Sequence, residues 1–246
     1  MAKSRRTALK RKNLNFEIAN EFIPPTRKTI SIVPLNETQR IYIRAIRQND
    51  ITFGIGAAGT GKTWLAAQLA LQHLVDGIVR KIVICRPAIN AGGELLGFLP
   101  GGINDKMDPY IKPILDVFTR YWSMRTVRDY LRDGRIEIVP LAFMRGRRFK
   151  DTYILADECQ NATSDQLLML LTRLGEGSKM VITGDPIQSD VNGHSCFNSA
   201  YGILRTVEHI EFVYFRNRDV VRHPTVEKIL NVWPVSQPIQ LLSASV

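Results

Sequence analysis

Eight residues restrict what this chain can fold into more than any other segment. Gly56-Ala57-Ala58-Gly59-Thr60-Gly61-Lys62-Thr63 fits the pattern GxxxxGK[ST]. It stands between an apolar run at 51–56 and a stretch at 62–76 in which Leu65, Leu69 and Leu74 fall on one helical stripe, with Gly77 as a stop. Glycine lets the backbone curl so that successive N–H groups face one anion, and the helix that follows adds partial positive charge. Lys62 is the residue that reaches the β- and γ-phosphates, and Thr63 offers its hydroxyl to magnesium. A glycine-rich turn that matched by accident would not need both a strand before it and a helix after it. The pattern therefore predicts a nucleoside triphosphate cradle formed by all eight residues.

The rest of the chain alternates in the same way. The short, continuously apolar run at 81–85 reads as a strand covered on both faces, and 136–139, 153–156, 179–183 and 211–215 read as further strands. Helical spacing is present at 36–47, from Asp108 and Pro109 through Phe118, and at 125–132, 164–174, 197–206 and 225–232. Thr163 with Gln166 predicts a capping box. This βα alternation predicts an α/β fold of the P-loop NTPase type, a parallel sheet with helices on both faces. The expected organisation is a basic N-terminal arm at 1–34, one domain at 35–233 and a tail at 234–246.

Two further strand ends carry chemistry. Tyr153-Ile154-Leu155-Ala156-Asp157-Glu158 is an apolar strand closed by two acids at its carboxyl end, the edge where open α/β sheets bind ligands. Asp157 is predicted to hold magnesium, and Glu158 to orient and polarise the attacking water. Gly184-Asp185-Pro186-Ile187-Gln188 ends another strand, and Gln188 could hydrogen-bond the γ-phosphate or that water. Gln39, upstream of the P-loop strand, carries an amide able to pair with the adenine edge, and a surface helix glutamine is the competing explanation. The sequence lacks Asn-Lys-x-Asp, which disfavours guanine, and lacks the Leu-Ser-Gly-Gly-Gln signature of transporter ATPases. ATP is the expected nucleotide. The paired Asp-Glu favours hydrolysis; an ATP-dependent assembly switch and a phosphotransferase are the alternatives.

Composition points outward from this site. The formal charge is +10 over 246 residues, which suits a polyanionic partner. Lys3, Arg5, Arg6, Lys10, Arg11 and Lys12 crowd the first twelve residues without an acid, and Arg125, Arg128, Arg132, Arg145, Arg147, Arg148 and Lys150 lie inside the domain. A solvated tail is the other explanation for the arm. No apolar run is long enough to cross a bilayer, and no secretory signal is apparent. Cys85, Cys159 and Cys196 are too scattered for a disulfide framework or a zinc site. A cytoplasmic protein is the default expectation.

Taken together, these segments resemble the PhoH family. The likeness is carried by Ala58-Gly59-Thr60-Gly61-Lys62-Thr63, Arg86-Pro87-Ala88, Gly97-Phe98-Leu99-Pro100-Gly101, Asp108-Pro109-Tyr110 and residues 140–147. It continues through Asp157-Glu158-Cys159-Gln160-Asn161, Leu171-Thr172-Arg173-Leu174-Gly175, Ser178-Lys179-Met180, Thr183-Gly184-Asp185 and Val221-Arg222-His223-Pro224. Ala57 stands where the family often has proline, and Cys159 where alanine is usual. The resemblance implies a single RecA-like domain related to the first motor domain of superfamily-one helicases. It also implies ATPase activity, a link to RNA and an association with phosphate starvation, and the partner expected here is RNA or single-stranded DNA. Phage-encoded forms are common in the family, in which case the compartment would be the host cytoplasm. Some relatives add an RNA-binding or PIN ribonuclease domain, for which residues 36–230 leave no room. Related helicases complete the site with an arginine from a second such domain. The expectation here is a homo-oligomer, a hexameric ring by the resemblance, with Arg222 donated by a neighbour and Arg216 or Arg218 as substitutes.

Overall fold

The most apolar runs occupy the interior of one parallel sheet. The computed structural model describes residues 29–87, 103–188 and 196–221 together with Thr225, and of 103–110 the backbone alone. Six strands, β1 (Ile51–Gly56), β2 (Lys81–Arg86), β3 (Ile136–Pro140), β4 (Thr152–Ala156), β5 (Lys179–Gly184) and β6 (Ile210–Phe215), lie in the order β3-β2-β4-β5-β1-β6. Every adjacent pair is parallel. The four interior strands are buried along almost their whole length, whereas β6 at one edge mixes buried and exposed positions. That difference is the reason the interior runs are continuously apolar.

Side chains alternate between the two faces, as the two-residue period of a strand requires. On one face Ile82, Ile84, Tyr153, Leu155, Val181, Val213 and Phe215 pack with α1 (Glu37–Gln48), α2 (Lys62–Val75), α3 (Ile103–Tyr121) and α4 (Met124–Arg132). On the other, Phe53, Ile55, Val83, Ile154, Met180 and Ile182 pack with α5 (Ser164–Leu171) and α6 (Cys196–Leu204). Helix α2 is buried nearly all round because the sheet, α1 and α3 enclose it. Tyr153 ties it down by donating its hydroxyl to the Ala66 carbonyl at 3.0 Å. Ile30 belongs to the same core, so burial reaches into the stretch read as an arm.

The predicted elements appear with small shifts at their ends. The capping box of Thr163 and Gln166 forms as expected, but α5 stops at Leu171 rather than running to 174. There Thr172 and Arg173 close the helix with bonds to Leu168 and Leu170 carbonyls. Helix α3 starts at Ile103, a turn before Asp108 and Pro109. The expected helix at 225–232 and the tail at 234–246 lie outside the described residues, apart from Thr225.

Candidate active site

Strand order and register bring three strand ends to one edge. Ile55 is opposite Gly184, Ala156 is opposite Ile182, and Cys85 is opposite Ala156. Strand β5 therefore stands between the P-loop strand and the strand ending in Asp157 and Glu158. Their common edge is an open cleft of about 250 Å³ whose walls include Lys62, Thr63, Asp157, Glu158, Asp185 and Gln188.

The loop before α2 needs its glycines. Gly56 has φ 140°, and a Cβ there would lie 2.1 Å from the Phe215 carbonyl oxygen of β6. Gly61 caps α2 in the left-handed region, with φ 86° and ψ 10°, where side chains are disfavoured. The fully buried Thr60 donates its hydroxyl to the Ala57 carbonyl at 2.9 Å. Lys62 donates its ammonium to the carbonyls of Gly56 at 2.6 Å and Ala57 at 2.7 Å. Burial pushes the Lys62 pKa below its ordinary value, opposed by the carboxylates of Asp185, Asp157 and Glu158. The ammonium is thus a desolvated cation facing three acids, able to exchange carbonyls for phosphate oxygens.

Asp157 collects hydroxyls. Thr63 donates to its Oδ1 at 2.7 Å, and Thr183 on β5 makes a short bond to the same oxygen. Its own N–H donates to the Cys85 carbonyl at 2.9 Å, which fixes the backbone. A carboxylate and a threonine hydroxyl in contact beside a phosphate cradle form the hard oxygen set that suits magnesium.

Glu158 sits in the left-handed region, with φ 56° and ψ 36°, a conformation that costs a non-glycine residue about 1–3 kcal/mol and concentrates at functional sites. Its carboxylate accepts from the Gln160 amide at 2.5 Å and faces Arg86 at 3.9 Å. Gln160 is 1% exposed. Its other end accepts the Asp185 N–H at 3.0 Å. Asp185 in turn accepts the Ala58 N–H at 3.1 Å and the Ile187 N–H at 3.1 Å. One hydrogen-bonded chain therefore links Glu158, Gln160, Asp185 and the P-loop backbone.

Of the residues singled out from sequence, the eight loop residues, Asp157, Glu158 and Gln188 converge on this edge. Gln188 is exposed and closes a turn through its N–H to the Asp185 carbonyl at 3.0 Å. Gln39 is 3% exposed and touches the loop, but its amide donates to the Thr60 carbonyl at 3.0 Å and accepts the Leu35 N–H at 2.8 Å. Arg222 lies outside the described residues. Its neighbour Val221 donates its N–H to the Gly59 carbonyl of the same chain's P-loop at 2.9 Å. Arg216 caps the short turn Asn217–Asp219 that leads there, and Arg218 lies within it. Sequence reasoning missed Thr183, Asp185, Gln160 and Arg86 as members of the site. All four stand in segments that carried the family likeness, and that was the available signal. The three cysteines are buried and free.

Comparison with known proteins settles the lineage. Residues 31–234 match the family described as PhoH-like protein. The chain belongs to the PhoH family. It is 45% identical over 201 residues to the PhoH-like protein of Synechocystis, covering 81% of this chain and 61% of that protein. Against the PhoH-like protein of Bacillus subtilis it is 45% identical over 197 residues, covering 79% and 61%. Against protein PhoH of Escherichia coli K12 it is 37% identical over 212 residues, covering 85% and 60%. The chain thus spans about three fifths of the length of these PhoH relatives. Among solved structures, Pif1 helicase from Candida albicans aligns with TM-score 0.41 and 18% identity over 82% of this chain and 43% of that one. The Hef helicase domain of Pyrococcus furiosus aligns with TM-score 0.43 and 13% identity over 74% and 38%. The parallel six-stranded sheet with helices on both faces, and the P-loop between β1 and α2, are the P-loop NTPase fold expected from sequence. Among the described residues no helix is long and apolar enough to cross a membrane.

Proposed function

We propose that the protein is a magnesium-dependent ATPase whose turnover is coupled to single-stranded nucleic acid. The observation that carries this reading is the convergence of Lys62, the Thr63–Asp157 pair and Glu158 on one cleft. Each group then has one task. The backbone N–H groups of the loop and the Lys62 ammonium bind the phosphates and offset the charge that develops on the β–γ bridge. Thr63 and Asp157 would hold magnesium, which neutralises phosphate charge when bound. Glu158 accepts a proton from water as its oxygen bonds to the γ-phosphorus and the bridging P–O bond breaks, releasing ADP. Gln188 is placed at the cleft wall to orient that water. The paired acids Asp157 and Glu158 on this cleft support hydrolysis over transfer to a second substrate.

The nucleic-acid half of the proposal rests on charge. The net charge is +10, and Arg125, Arg128, Arg145 and Arg148 are exposed. Arg147 is not available in the same way, because it grips Glu137 with two bonds of 2.6 and 2.8 Å and lies 4.6 Å over the Phe149 ring. We further propose that the protein acts as a homo-oligomer in which Arg222 contributes to a neighbour's cleft. The test is phosphate release from ATP alone and with RNA, single-stranded DNA or duplex DNA, using Lys62→Ala as the inactive control. Stimulation by single strands that weakens as salt rises is the expected result. ATP hydrolysis indifferent to every nucleic acid would leave an assembly switch as the better reading, and full turnover in Lys62→Ala would overturn the site itself.

A further inference from the structure

We infer that Trp64 is the base platform of the nucleotide site, its indole stacking on the base of the bound nucleoside triphosphate while Arg120 fixes the ring plane. This rests on the nucleotide reading above and adds the part of the ligand that the phosphate cradle does not hold.

The first ground is the make-up of the cleft. Apart from Ala58 and Trp64, its walls are glycines, acids, a lysine, a threonine and an amide, all suited to phosphate, cation or water. Among the described residues that line it, Trp64 is the one aromatic. The second ground is position. Lys62 and Thr63 are the phosphate and cation residues, and Trp64 follows them directly in the first turn of α2. A nucleotide whose β- and γ-phosphates lie on Lys62 carries its ribose and base away from that point, and Trp64 stands on the adjoining wall of the cleft.

The third ground is burial. From Leu65 to Leu71 every residue of α2 is buried, while Trp64 is only partly so, packing against the core along part of its surface. An indole that is only partly covered beside a ligand cleft can serve as a stacking partner. The Arg120 guanidinium lies 4.5 Å from the centre of the indole, within the range of a cation–π contact, which restrains the ring. The fourth ground is Gln39. One N–H and the oxygen of its amide already bond the backbone of Thr60 and Leu35, and these bonds keep the buried side chain turned toward the P-loop. Stacking on Trp64 leaves them intact.

Stacking depends on the extent of a π-face rather than on edge atoms. The site should therefore prefer purine over pyrimidine triphosphates, discriminate weakly between adenine and guanine, and bind inorganic tripolyphosphate least. The experiment measures dissociation constants for ATP, GTP, CTP and tripolyphosphate with magnesium, in wild type, Trp64→Phe and Trp64→Leu. Loss of one stacked base corresponds to about 5- to 150-fold in affinity. Trp64→Leu should weaken ATP by a factor in that range and leave tripolyphosphate unchanged, and Trp64→Phe should retain most of the preference. The tripolyphosphate arm also reports that the variant is folded with its cradle intact. An unchanged ATP-to-tripolyphosphate ratio in Trp64→Leu would overturn the proposal and leave Trp64 as packing between α2 and α3; so would equal loss of both ligands. Dependence on Trp64 seen for a thymidine oligomer but not for ATP would also overturn it, by assigning the ring to a nucleic-acid base. Base-dependent binding without phosphate release would refute the ATPase reading and leave this inference standing.

Discussion

Replacing Gln160 by methionine keeps an unbranched side chain of similar length and removes both polar ends of the chain between Glu158 and the P-loop. Two costs follow. The Asp185 N–H, in a residue 6% exposed, loses its acceptor, and an orphaned buried donor costs about 1–3 kcal/mol. The bond to Glu158 contributes less to stability, because that carboxylate is 35% exposed and water can replace the missing donor. The expected destabilisation is thus about 1–3 kcal/mol, which with a urea slope of about 1–3 kcal/mol/M moves the midpoint by roughly 1 M. Turnover should fall as well, because a freed Glu158 no longer points at one place. The ceiling is the loss of a positioned base, about 10²–10⁴-fold. Urea unfolding, nucleotide affinity and phosphate release on the same preparation separate these effects, with affinity expected to hold. Gly184→Ala offers an independent route to the same displacement, since its Cβ would lie 2.5 Å from Gln160 Oε1 and 2.6 Å from the Phe197 ring. Reduced stability with turnover intact in both variants would refute the reasoning, because Glu158 would then be oriented without Gln160.

Glu158→Gln should keep ATP binding and lose hydrolysis by about 10²–10⁴-fold; loss of binding in a filter or calorimetric assay would instead make Glu158 a structural or metal-holding group. Arg147 and Lys81 hold the Glu137 pKa down at about 2, below its ordinary 4.5, so its contribution is present above pH 4.5 and lost as pH falls to about 2. Burial, with Lys179 and Arg47 nearby, lowers His73 from 6.5 to about 4, and its share fades between those values as pH falls. Denaturant midpoints across pH 2–7 should therefore flatten in their lower part in Glu137→Gln, and an unchanged curve would show that the pair is inert. Deleting residues 1–12 should weaken single-strand binding and flatten its salt dependence by about 0.7 in log–log slope for each phosphate that the arm neutralises; an unchanged slope makes the arm a solvated tail. Lys62→Ala and Arg222→Ala protomers, each inactive, should regain partial phosphate release when mixed, and no rescue despite proven co-assembly would exclude an arginine donated by a neighbour.

Much of this protein is written locally. The helix and strand periods, the Thr163–Gln166 cap, the P-loop and the acids closing β4 are patterns among residues close in the chain. Local sterics and side-chain spacing impose them before any distant contact forms. Their ends were less legible: α5 stops at Leu171 because the following backbone turns to bond back on the helix. Strand order is a different matter. Nothing near Ile55 says that Gly184 will lie opposite it, or that β5 will separate the P-loop from Asp157. That placement alone makes Thr183 a partner of Asp157, sets Asp185 on the Ala58 N–H and leaves Gln160 spanning the gap to Glu158. Gln39 makes the same point from the other side: its residue type is read from sequence, and only the packing of α1 against the loop brings its amide onto the backbone of Thr60 and Leu35. Residue order alone is enough to say which chemical groups the chain carries and on which kind of element each sits. Which of those groups meet is set by the folded sheet, because hydrogen bonds between residues far apart in the chain exist only once the strands have taken their places.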